Sequence, residues 1–111
     1  MQRFISLWIF AVALTAAADA RAASYTITPE MWMQPRSGQV MLQMAPVRAA
    51  VQDWMQHPGA KLVILHSGDD MGNLWASEVQ DWLVSLGIPS ADIVKQVSGQ
   101  DENSVTLEVA P

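Results

Sequence analysis

The sequence predicts an α+β domain, a two-layer sandwich in which a mixed sheet, built in the chain order βαβαββ, carries two helices on one face. Three observations predict it. Val47, Ala50, Val51, Trp54 and Met55 recur at helical spacing, the stripe of a helix packed on a core. Leu62–Leu65 is an unbroken apolar run of strand length. Trp75, Val79, Trp82, Leu83 and Leu86 form a second helical stripe closed by Gly87. Helix-period and strand-period segments alternate, and layered packing of helices on a sheet is the economical way to bury both.

The N-terminus precedes this domain as a separate region. Arg3 is followed by the apolar run Phe4–Ala18 and then by small residues, the order of a secretory signal peptide. Ala20-Arg21-Ala22 and Ala18-Asp19-Ala20 both fit signal peptidase, and the first leaves Ser24-Tyr25-Thr26 to open an ordered segment. The apolar run falls short of the roughly 20 residues that a spanning helix needs. Residues 1–22 are therefore expected to be a cleaved Sec signal, with residues 23–111 one domain and no stable membrane insertion after cleavage.

Within that domain, Tyr25–Ile27 reads as a short first or edge strand ended by Pro29. Residues 30–45 leave two readings open: Val40, Leu42 and Met44 alternate as a strand does, and the same stretch fits a loop leading into the next helix. Pro46 opens that helix, since its missing N–H costs nothing in the first turn, and Pro58 ends it. Lys61–His66 reads as a central strand covered on both faces. Asp69 or Asp70 is placed to cap the second helix, about Gly72 to Leu86, which Gly87 and Pro89 terminate. Ile93–Val97 and Val105–Val109 read as the last two strands, joined by the acidic loop 99–104 as a hairpin.

Charge and cysteine usage narrow the function classes. Six Lys and Arg stand against eleven Asp and Glu, a formal net charge of −5, and Arg3 and Arg21 fall in the signal region, so the domain is more acidic still. Nucleic-acid contact rests on clustered cations, so it is not expected, nor is an anionic membrane surface. The chain has no cysteine, so core packing rather than disulfides must stabilise it, and no lipid-anchor cysteine follows the signal. A soluble periplasmic or secreted product is the expectation.

Candidate chemistry is sparse. His66, Asp69 and Asp70 cluster after the central strand, where a metal or an acid/base pair could sit; the plainer reading is a helix cap beside a loop histidine. With no nucleophile motif and no phosphate-cradling glycine loop, no enzyme activity and no cofactor are expected. Met31-x-Met33 and Met41-x-x-Met44 raise copper binding as an alternative, because thioethers select Cu(I); methionine also fills irregular core gaps. Trp54 and Trp82 lie on core-facing stripes, whereas Trp32 and Trp75 are candidate anchors for a protein partner.

The stretch His57–Asp92 (HPGAKLVILHSGDDMGNLWASEVQDWLVSLGIPSAD) resembles the OmpA C-terminal-like family, envelope domains that commonly bind peptidoglycan. The similarity is carried by Pro58, Lys61–Ile64, the Asp69-x-x-Gly72 step, and Ala76, Val79, Asp81, Trp82-Leu83 and Gly87-Ile88-Pro89. It implies that Asp69, with Asp70 and Gly72, forms a ligand site together with a helix-opening arginine. Counted in one register that arginine falls on Trp75, and in the other on Gln80. Neither is a cation, and gripping a carboxylate bidentately needs a guanidinium. The resemblance thus implies a non-catalytic periplasmic module diverged toward an envelope protein partner, with peptidoglycan binding through Asp69 as the alternative. Arg48 or Lys61 would then have to supply the charge.

Overall fold

A computed structural model describes residues 23–98 and 104–111. The signal peptide expected at residues 1–22 and most of the acidic loop lie outside the described residues. The elements in order are β1 (Ser24–Ile27), α1 (Pro29–Trp32), α2 (Gly38–Gln43), α3 (Ala45–Met55), β2 (Lys61–His66), α4 (Asp70–Ser85), a 3-10 turn (Ser90–Asp92), β3 (Ile93–Val97) and β4 (Val105–Ala110).

The sheet is mixed, in the order β1-β4-β2-β3. β2 and β3 run parallel, connected through α4, while β4 runs antiparallel to both β2 and β1. The expected hairpin between the last two strands is therefore not formed: β2 lies between β3 and β4. β4 instead fills the slot between β1 and β2, where it gains ladder hydrogen bonds on both sides rather than extending the sheet at an edge.

Register sets the two faces. Ile64 pairs with Leu107, Leu62 with Val109 and with Ile93, and Ile27 with Val105; because side chains alternate along a strand, these residues share one face. All are buried, and all but Val109 belong to one cluster with Val47 and Ala50 of α3 and Ala76, Val79 and Leu83 of α4. The opposite face carries Thr26, Thr106 and Glu108, with Val63 and Leu65 half-buried. β2 is thus covered on one face, not on both. Its apolar run is continuous because Val63 and Leu65 are shielded laterally, by Val94 and Gln96 on one side and Glu108 and Thr106 on the other.

Residues 30–45 form no strand: two short helices, α1 and α2, are joined by irregular chain at 33–37 and lead into α3, so of the two open readings only the loop is met, and only in part. Thr28 accepts from the Met31 amide at 3.4 Å and Ser37 from the Val40 amide at 3.2 Å, capping α1 and α2. The alternation at 40, 42 and 44 is accidental: Leu42 is exposed, whereas Met41, Met44 and Val47 are buried at three-residue spacing.

The two long helices follow local rules. α3 begins at Ala45, with Pro46 in the first turn, and its Trp54 indole donates to the Ala60 carbonyl at 3.0 Å across the turn made by Gly59 at φ +86°. α4 starts on Asp69, whose Oδ1 accepts from the Gly72 amide at 2.7 Å. It ends with Gly87 at φ +107°, Ile88 N–H donating to the Leu83 carbonyl and Gly87 N–H to that of Val84. That pair of bonds satisfies the last carbonyls, and the burial of both Ile88 and Leu83 locks it.

Candidate functional site

A cleft of about 410 Å³ opens between the α1–α2 segment and the N-terminal half of α4. Trp32 of α1 and Trp75 of α4 form its floor, their ring centroids 6.1 Å apart and tilted by 41°, a separation within the range of favourable aromatic pairs. Trp32 is only 7% exposed, so it is a floor residue rather than a protruding anchor.

Polar groups organise one end. The Trp32 indole N–H donates to Glu78 Oε2 at 3.2 Å. The Arg36 guanidinium lies 5.0 Å over the Trp32 ring, donates from Nη1 to the Trp32 carbonyl at 3.0 Å and places Nη2 3.9 Å from Glu78 Oε2. A cation over an aromatic face and a carbonyl bond together hold this side chain in place. The Trp75 indole nitrogen is buried and finds no acceptor among the described residues.

Asp69 lies on the lining at the other end. Its carboxyl is held below the usual carboxylate range, first by the bond from the Ser67 hydroxyl at 2.8 Å and then by the Gly72 amide, so it is ionised at neutral pH. Asp69 and Glu78 are separated by about 13 Å of helix rise, at about 1.5 Å per residue. Between and around them the lining is apolar, with Met33 84%, Met71 71% and Leu74 55% exposed at the rim.

Of the residues singled out in the sequence, Asp69, Gly72, Trp75 and Trp32 meet on this cleft. Asp70, exposed in the first turn of α4, and Gln80, half-buried further along it, are not on the lining. Met33, which the sequence offers as a thioether ligand, lies on the cleft rim instead, and Arg36, Glu78, Met71 and Leu74 join the lining without a motif that marks them. Their only signal was spacing: Arg36 lies one turn after Trp32 and Glu78 one turn after Trp75.

The guanidinium in this cleft belongs to Arg36, between α1 and α2, and not to either α4 position, Trp75 or Gln80, that the resemblance implies. Arg48 is exposed on α3. Lys61, at the opposite end of β2 from Asp69, donates to the Ala91 carbonyl at 3.0 Å and to Asp92 at 3.3 Å.

His66 is 6% exposed, and its Nδ1 lies 2.8 Å from the Ser67 carbonyl. Among the described residues no group of three His, Asp or Glu side chains is arranged to hold a metal ion. The methionine pairs are divided: Met33 opens on the main cleft, Met31 and Met44 line a second cavity of about 330 Å³, and Met41 is fully buried.

No family model, no curated relative and no solved structure matches this chain. The cleft combines an aromatic floor, thioether walls at Met33 and Met71 and three charged side chains.

Proposed function

We propose that this chain is a non-catalytic cell-envelope module, exported to the periplasm, that holds a protein partner through the Trp32–Trp75 cleft on a diverged OmpA-like scaffold. The observation that carries this reading is the pairing of a tryptophan floor, Trp32 buried and Trp75 half-buried, with a rim of exposed apolar residues, Met33, Met71 and Leu74. Fully burying a side chain of this size is worth about 1.5–3 kcal/mol, and tryptophan and arginine are the residue types that most often dominate protein interfaces. Three helices rather than one join β1 to β2, so the chain departs from the expected βαβαββ order by the added α1 and α2; the mixed four-stranded sheet with α3 and α4 packed on one face is what supports the scaffold.

A photo-crosslinking residue placed at Leu74 should give a discrete protein adduct in the envelope, and the adduct should vanish with Trp75→Ala. The same residue at Thr26, on the open sheet face, should give none. Equal labelling at both positions would refute a partner-binding cleft.

A second reading is favoured by one observation: Arg36 and Asp69 line the same cleft, which removes the reason for discounting peptidoglycan. A stem peptide would set its carboxylate on Arg36 and its amine on Asp69. Against it, Arg36 is already engaged with Trp32 and Glu78, and about 13 Å of helix rise separates Asp69 from Glu78. Co-sedimentation with sacculi, abolished by both Asp69→Ala and Arg36→Ala, would establish this reading in place of the first.

A further inference from the structure

We infer that the partner presents a short segment in which a large apolar side chain is accompanied by a lysine or arginine, the apolar group entering between Trp75 and Leu74 and the cation meeting Asp69. This rests on the partner-binding reading above and names the chemistry of what is bound.

Charge complementarity carries the inference. The cleft holds three charged side chains, Arg36, Asp69 and Glu78. Arg36 is compensated within the protein, 3.9 Å from Glu78, bonded to the Trp32 carbonyl and stacked on its ring. Asp69 joins none of the ion pairs among the described residues. Its neutral partners, the Ser67 hydroxyl and the Gly72 amide, keep it ionised without cancelling its charge. The same contact closes the positive end of α4 to an incoming anion, because Asp69 already occupies the first-turn amide that such a ligand would use.

The uncompensated charge that a ligand meets is therefore negative, beside an apolar surface. Exposed Asp70 in the next position, and the chain's net charge of −5, extend the same field. From Asp69 to Leu74 and Trp75 the helix rises about 8–9 Å. An extended segment advances about 3.3 Å per residue, so the cation and the apolar anchor stand two or three positions apart.

The test selects short random peptides displayed on phage against the full chain. Enriched sequences are resynthesised with a fluorescent label and titrated by anisotropy against wild type, Asp69→Asn, Glu78→Gln and Trp75→Ala. Asparagine caps helices as well as aspartate does, so Asp69→Asn removes charge without removing the cap. The inference expects enriched Lys or Arg two or three positions from an aromatic or leucine. It also expects a loss of about three- to tenfold in affinity for Asp69→Asn, in the range of a charged contact at a partly exposed site, decreasing further with added salt.

Enrichment of neutral or acidic apolar peptides that depend on Trp75 and are indifferent to Asp69→Asn would overturn this inference while leaving the partner-binding cleft standing. No enriched peptide whose binding depends on Trp75, with circular dichroism showing every variant folded, would overturn both.

Discussion

The Trp32 indole and the Glu78 carboxylate, 46 positions apart in sequence, share a 3.2 Å hydrogen bond that ties α1 to α4 and closes one end of the cleft. A tryptophan only 7% exposed has one polar atom to satisfy, and Glu78 satisfies it. Burial of the ring and satisfaction of its N–H are thus one event.

Glu78→Ala strands that indole N–H. The bond is part-buried, with the Glu78 side chain 39% exposed, so a urea titration should show a loss of about 0.5–1.5 kcal/mol. Glu78→Gln, which keeps an acceptor, should retain most of the stability.

Gly72 is required by close approach rather than by backbone angle. A Cβ there would collide with Ser67 Oγ and the Ser67 carbonyl oxygen and lie 2.8 Å from Asp69 Oδ1. Gly72→Ala should destabilise by about 1–3 kcal/mol, the usual cost of overpacking. A methyl at Gly38 would meet nothing within 4 Å, so Gly38→Ala should leave the denaturation midpoint nearly unchanged or raise it.

The lowered pKa of Asp69 has a pH signature. Its folded carboxyl gives up its proton more readily than the ordinary value of 3.8, so the unfolded chain binds more protons in that range. The stability it contributes is present above 3.8 and is lost as pH falls through the folded pKa. Thermal midpoints measured downward from pH 5 should fall less steeply for Asp69→Asn than for wild type. Asp69→Ala, lacking a cap, should melt lower at every pH.

Tyr25 carries the opposite sign at the alkaline end. Desolvation, then its hydrogen bond to Asp53 Oδ2 at 3.0 Å and the charge of that carboxylate, raise the phenol above 10.0. The stabilisation is complete below pH 10.0 and is lost as pH rises through the folded pKa. In melts above pH 10 Tyr25→Phe should show a shallower decline than wild type.

What the sequence by itself determined about this protein is its locally encoded elements. α4 could be read because its signals lie within one or two turns of its ends: Asp69 before it and Gly87 after it. β3 was read at Ile93–Val97, its observed bounds, because a helix stop and a turn precede it. In residues 30–45 weak alternation leaves a strand and a loop equally open, while the Thr28 and Ser37 caps open the short helices α1 and α2.

Only the tertiary structure decided what depends on residues distant in sequence. The insertion of β4 between β1 and β2 is a choice among pairings that alternation at Val105, Leu107 and Val109 leaves equal. The meeting of Arg36 and Asp69 on one cleft follows from the docking of α1 and α2 against α4. The physical reason is that caps and periodicity act over a few residues of chain. A cleft between elements exists only once hydrophobic burial has brought those elements together, and burial is non-directional.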